Sequence, residues 1–399
     1  MLIYGGRLVD PIAGTDGLFD VRLRDGLVSE VGQHLAAFDG EDSLNASGAC
    51  VAPGFIDMHV HLRDPGFPEK ETLATGSLAA ARGGFTAVAC MPNTEPALDT
   101  TGVVADLLRR ADAPEIACRI YPIAAMTRGR LGVEALDYAA LAAAGAVAFS
   151  DDGSPVNDDA VMRAVALAAR TTGRRLIAHA EDEDPMVVRD LGLARETGAA
   201  WHIAHVSTAI SADAVAEARR SGVDVTCEVT PHHLLFTREL TVSHGGGAKV
   251  NPPLRGAKDA RALRDAVRNG EIDAFASDHA PHTSCEKSLP FEKAAYGFTG
   301  LEVAVGAYAH AIPDLPVSRF VELLSTNPAR ILGVPGGTLA VGAPADLTIF
   351  ADRPWTVHAQ AFASKGHSTP FDGMRLPRAA VATIVAGRLR YRAEGFGSA

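Results

Sequence analysis

Between residues 51 and 280 the chain repeats one texture eight times: a short apolar run with β-branched residues, then a stretch rich in Ala, Leu and Arg of helical period. The runs fall at 51–57 (VAPGFID), 86–91 (TAVACM), 117–124 (ACRIYPIA), 146–152 (AVAFSDD), 175–181 (RLIAHAE), 202–208 (HIAHVST), 225–231 (VTCEVTP) and 274–280 (AFASDHA). Strands alternating with helices in this way build parallel sheets, and eight units in series predict a (β/α)8 TIM barrel. The helix expected from Asp158 to Thr172 would bury Val161, Ala164, Val165 and Leu167 as its apolar stripe. A doubly wound open sheet shares the alternation, but no Gly-rich phosphate fingerprint follows the first run and the count reaches eight.

A barrel of about 250 residues leaves a remainder in a chain of 399. Residues 1–53 alternate apolar and polar positions between turn signals (LIYGGRLVD, DVRLRDGLVSEVG), which is short antiparallel strand chemistry. Residues 336–399 return to that style (GTLAVGAPADLTIF, AAVATIVAGRLRY), so the two ends are expected to build one small β domain around a barrel at 54–335.

Composition narrows the partners. Lys and Arg number 37 against 48 Asp and Glu, a net charge of −11, which gives no long-range attraction to nucleic acid or to an anionic membrane. An anionic ligand would need its own local Arg or His. Five scattered cysteines (Cys50, Cys90, Cys118, Cys227, Cys285) do not read as a disulfide framework, and the N-terminus lacks a signal-peptide pattern, so a cytoplasmic protein is expected.

The polar residues that interrupt the apolar runs sit where a barrel places its chemistry, at the C-terminal strand ends. His59 and His61 are two apart and in extended backbone share a side. Ser150, Asp151 and Asp152 end the fourth run, His179 and Glu181 the fifth, His205 and Ser207 the sixth, and Ser277, Asp278 and His279 the eighth. One buried His or Asp is ordinarily a satisfied core hydrogen bond; six in register around one mouth favour a metal centre. Imidazole and carboxylate donors without thiolate suit Zn²⁺ in a catalytic site. His59, His61 and Asp278 could hold one ion and His179 and His205 a second, with a bridging carboxylate between them.

The motifs GFIDMHVHLRDPGFPEKET (54–72), ARGGFTAVACMPNTEP (81–96), AVAFSDDGSPV (146–156), IAHAED (177–182), HIAHVST (202–208), EVTPHHLL (228–235), KVNPPLR (249–255) and ASDHAPH (276–282) together resemble the bacterial dihydroorotases of the amidohydrolase superfamily. The resemblance spans nearly the whole chain. It implies that His59, His61, Asp152 and Asp278 bind a first zinc ion and that Asp152, His179 and His205 bind a second, with Asp152 as the bridge. Asp152 is preferred to Asp151 because it stands immediately before Gly153. His61, Arg63, Asn93, Asn251, His282 and the backbone at Tyr296 and Gly297 are implied to contact substrate, with His232, His233 and His279 in hydrogen-bonding roles.

The implied reaction is the reversible cyclisation of N-carbamoyl-L-aspartate to dihydroorotate and water, on the route to pyrimidine nucleotides. Water activated at the metals would be the nucleophile and Asp278 the proton shuttle. Related cyclic-amide hydrolases, the allantoinases and hydantoinases, are the alternative enzyme class; they typically carry a lysine where this chain has Asp152. A non-catalytic homologue that scaffolds aspartate transcarbamoylase is the third reading. A homodimer and a transcarbamoylase partner are both compatible with the family. One departure stands out: only 26 positions separate His179 from His205, about two dozen fewer than in family members, so the mouth of the barrel is expected to be trimmed there.

Overall fold

The computed structural model describes residues 1–397. Eight parallel strands, Phe55–Val60, Phe85–Cys90, Arg119–Ala124, Ala148–Phe149, Arg175–Ala178, Trp201–Ile203, Val225–Val229 and Ala274–Phe275, pair in chain order. A parallel bridge between Val60 and His279 joins the first strand to the last, and the His61 N–H donates to the His279 carbonyl at 2.8 Å. The sheet thus closes at the rim where the polar residues gather.

Helices fill the crossovers, and short polar side chains start them. Thr72, Thr100, Asp137, Asp158 and Thr208 each accept from a backbone N–H of the first turn that would otherwise lack a partner. The helix Asp159–Arg170 buries Met162, Val165, Ala166 and Ala169. The expected stripe is corrected accordingly: Leu167 and Ala164 face outward, because the i, i+3, i+4, i+7 face that meets the barrel begins at Met162.

The strands are shorter than the apolar runs. The run at 51–57 divides at Gly54: Cys50–Pro53 belongs to another sheet, and Phe55–Val60 is the barrel strand. A Cβ on Gly54 would lie 2.0 Å from Thr86 Oγ1, so the crossing between the two sheets tolerates no side chain. The runs at 146–152 and 274–280 contribute only Ala148–Phe149 and Ala274–Phe275 to the ladder. Their polar ends leave the sheet to form the rim.

Apolar side chains from six of the strands meet inside the barrel: Ile56, Met58, Ala87, Ala89, Ile123, Ala148, Ile177 and Ala274 form one cluster together with Ile331 and Leu332. Large residues pack on the outside of the sheet. Phe55 lies against Phe320 and Phe350, and Phe275 stacks on Tyr308 at 3.8 Å with the rings nearly parallel. Tyr308 Oη donates between the Val229 and Ala276 carbonyls, tying that stack to the seventh and eighth strands. Phe275→Ala is expected to cost about 3–5 kcal/mol of unfolding free energy, the range for an aromatic removed from a close-packed core. A denaturant titration giving a loss under about 1 kcal/mol would contradict this packing.

Both chain ends build the remaining sheets. Six strands run in the order Arg388–Arg392, Ala379–Val385, Leu347–Ala351, Cys50–Pro53, Arg7–Asp10, Thr15–Leu18, and a four-stranded sheet joins Leu2–Tyr4 to Asp20–Arg24, Leu27–Gly32 and Ser43–Asn45. Asp10 accepts from Thr338 and from the Leu339 N–H, which couples the ends directly. Thr348 anchors the sheet to the barrel, accepting from the Phe55 N–H and donating to the Gly84 carbonyl. No helix among the described residues is long and apolar enough to cross a membrane.

Candidate metal centre and active site

At the C-terminal rim a cavity of about 230 Å³ is lined by His61, Arg63, Asn93, Asp152, His179, His205, Asn251, Asp278, His282, Tyr296 and Gly297, together with Gly153, Glu181 and Ala280. His59 lies buried within the same cluster and is the one expected ligand not on the cavity wall. Residues up to 238 positions apart in sequence are therefore gathered at one mouth.

Asp152 is the hub. Its Oδ1 lies 3.4 Å from His59 Nε2, 3.3 Å from His179 Nδ1 and 3.5 Å from His205 Nε2, while Oδ2 is 3.5 Å from His61 Nε2. Asp278 Oδ1 is 3.0 Å from His61 Nε2 and 3.6 Å from His59 Nε2. His59 therefore takes part in two groups of converging donor atoms, His59/Asp152/His205 and His59/His61/Asp278. His179 Nδ1 stands 3.0 Å from His205 Nε2 beside the first group.

Asp151 turns the other way. It accepts from the Met126 and Thr127 backbone N–H groups and from the Thr127 hydroxyl, so of the two adjacent carboxylates only Asp152 enters the cluster. Asp57, beneath the site, accepts from the Ser277 and His59 N–H groups and ties the last strand end to the first; burial pushes its pKa up to about 7.

The electrostatics call for a cation. Burial opposes charge on His59, yet Glu228, Asp152 and Asp278 override it and hold its pKa well above the usual imidazole value. Burial likewise opposes ionisation of Asp152 and Asp278, but His59 and the neighbouring imidazoles hold both well below the usual carboxylate range. Two buried atoms at the centre, His59 Nε2 and Asp152 Oδ1, have no hydrogen-bond partner. Unpaired buried lone pairs are costly, and a divalent ion between imidazole and carboxylate donors satisfies them. The donor set thus fits a metal.

The remaining expected residues are mostly engaged with these histidines. Asn93 Oδ1 is 2.8 Å from His61 Nδ1 and its amide is 3.4 Å from Asp152. Asn251 reaches His179 Nε2 at 3.2 Å and Glu181 at 3.1 Å. His282 Nε2 lies 3.1 Å from Arg63 Nη2 and 2.8 Å from the Tyr296 carbonyl, while the Gly297 N–H donates to the Lys249 carbonyl. A Cβ on Gly297 would lie 2.4 Å from Ala280 Cβ, and its φ of 106° suits glycine alone. Arg63, His205 and Asp278 have φ of 57°, 32° and 48°, left-handed values that are strained for such residues and concentrate at functional sites.

Sequence alone assigned Glu228 and His202 no place in the site, and Glu181 stood out only as a polar end of the fifth run. Glu228 is a carboxylate inside the run VTCEVT, and a charged residue within a fully buried strand was the available signal. The helix Glu183–Thr197 begins only four residues after the strand Arg175–Ala178. A second cavity of about 380 Å³ opens beside it, bounded by 180–185, Lys249–Pro253, Arg255, Phe291 and Tyr296.

The amidohydrolase family model matches residues 50–390. The dihydroorotase of Anaeromyxobacter dehalogenans is 44% identical over 421 aligned positions, covering 98% of this chain and 97% of the relative. That of Pelotomaculum thermopropionicum is 44% identical over 420, covering 98% of each. Both alignments run longer than the 399 residues of the chain, so the relatives carry residues that it lacks. Among solved structures, the L-hydantoinase of Arthrobacter aurescens superposes with a TM-score of 0.90 at 25% identity, covering 100% of this chain and 97% of that one. The chain belongs to the metal-dependent amidohydrolase family and groups with its dihydroorotases.

Proposed function

We propose that the chain interconverts N-carbamoyl-L-aspartate and (S)-dihydroorotate plus water in pyrimidine synthesis, with two zinc ions per subunit. His59, His61, Asp152 and Asp278 would hold the first and Asp152, His179 and His205 the second. The observation that carries the reading is Arg63. Its guanidinium faces the same cavity as Asp278, it donates to the Pro281 carbonyl, and it has no carboxylate partner among the described residues. Desolvation lowers its pKa only to about 10, so it stays cationic and free to pair with a substrate carboxylate.

Bound zinc would polarise the scissile carbonyl and lower the pKa of water at the site. Asp278, ionised and oriented by His61, is placed to take a proton on its carboxylate and release it to the departing ring nitrogen. Asn93 accepts from His61 Nδ1–H and leaves Nε2 facing Asp278, while the Asn251 amide nitrogen donates to His179 Nε2 and to Glu181. A cavity this small suits a single ring with its carboxylate rather than an extended ligand. Five free cysteines fit work in a reducing cytoplasm.

Arg63→Ala is expected to raise the KM for dihydroorotate by about 10–100-fold, the value of about 1.5–3 kcal/mol for a hydrogen bond to a charged group, with a smaller change in kcat. An unchanged KM would remove Arg63 from substrate binding. The hydantoinase likeness in fold supports a second reading, cyclic-amide hydrolysis on another ring. Metal-analysed protein assayed on dihydroorotate, hydantoin and allantoin, alone and with aspartate transcarbamoylase, separates the readings. Turnover of dihydroorotate is expected; turnover confined to the other rings would overturn the proposal, and activity only with the transcarbamoylase would add an obligatory partner.

A further inference from the structure

The seventh barrel strand carries Glu228, fully buried and outside the cavity wall. Its Oε1 lies 2.6 Å from His59 Nδ1 and accepts from the His205 backbone N–H at 3.3 Å. Its Oε2 faces His202 Nε2 at 3.3 Å, and His202 Nδ1 is 2.8 Å from Thr226 Oγ1. A buried carboxylate without partners would be costly; one imidazole and one amide hydrogen-bond Oε1 here, and His202 stands beside Oε2 as an ion-pair neighbour.

An ionised carboxylate only accepts, so the 2.6 Å contact puts a proton on His59 Nδ1. Nε2 then faces Asp152 Oδ1 and Asp278 Oδ1, with no other partner to hold it there. Given a zinc centre at this site, we propose that Glu228, steadied by His202 and Thr226, is a positioning residue that fixes the His59 ring in its Nδ1-protonated orientation and aims Nε2 at the metal. The chain from Thr226 to the metal pocket thus runs through side chains of the first, sixth and seventh strands, so the ligand's orientation is tied to barrel closure.

Zinc affinity measured by competition with a chromogenic chelator tests this on the intact chain. Glu228→Leu is expected to weaken zinc binding by about 10–100-fold, the usual cost of removing such a supporting group. Glu228→Gln, whose amide oxygen still accepts from Nδ1–H, is expected to recover most of that loss; a merely structural role would not make metal affinity follow the acceptor. Wild-type protein that binds no zinc would overturn the metal reading itself. Wild type that binds zinc while Glu228→Leu binds it equally well, or a Gln variant as weak as the Leu variant, overturns the role of Glu228. If the Leu variant is not recovered folded, nitrogen-15 spectra of histidine-labelled, zinc-loaded wild type decide: the His59 proton is expected on Nδ1, and a bare Nδ1 overturns the proposal.

Discussion

Asp278→Asn is expected to lower turnover of dihydroorotate by about 10³–10⁴-fold, toward the upper end of what a positioned proton carrier contributes. The amide keeps the size and one oxygen of the carboxylate, so His61 and His59 retain a neighbour at this position. The variant loses the ability to take and return a proton and also the anionic oxygen proposed to hold the first zinc, so zinc content is measured beside turnover to separate the two. Asp278, like Asp152, is held ionised by its surroundings and borders the cavity that Arg63 lines. The variant should therefore bind substrate with a KM within a few-fold of wild type while kcat collapses. Turnover within about tenfold of wild type would show that another group moves the proton, and the assignment would fail.

The legible part of the site was its rim. His59, His61, Asp152, His179, His205 and Asp278 each break an apolar run at a strand end, and that register follows from barrel geometry before any contact is seen. Supporting groups were less visible. Glu228 sits mid-strand, where a carboxylate has no periodic signature, and its role appears only when the first and seventh strands face each other across the barrel. Asn93 and Asn251 stood out in sequence, but their amides reach His61 and His179, a pairing across 32 and 72 positions that spacing along the chain does not encode.

Strand lengths were overestimated for a related reason. An apolar run does not reveal where the ladder ends. The eighth strand stops at Phe275, and three residues on, at Asp278, the backbone is left-handed where the polar residues converge. On the helix Asp159–Arg170 the expected Val165 is buried and Val161 packs partly against the core, but Ala164 and Leu167, each one position from the buried pair Val165 and Ala166, point to solvent. On a helix, one position is a rotation of about 100°, enough to carry a face from core to solvent.

Asp152→Ala is expected to remove the centre altogether, with zinc content falling toward zero and turnover falling by at least about 10³-fold, since water activation and carbonyl polarisation both depend on the metals. The argument is electrostatic as well as geometric. Asp152 Oδ1 stands within 3.5 Å of three imidazoles from the first, fifth and sixth strand ends. Without it, four histidines share a buried space with only Asp278 and Glu228 to balance them. Asp151→Ala is the matched control, one residue away and equally buried. Its loss strips the Met126 and Thr127 N–H groups of their acceptor, an expected cost of about 1–3 kcal/mol in stability, yet it removes no donor from the cluster. Zinc content and folding stability measured on both variants should therefore move in opposite pairs: metal lost at Asp152, stability lost at Asp151. Retained zinc in Asp152→Ala, or zinc lost only in Asp151→Ala, would transfer the bridging role to the neighbouring carboxylate.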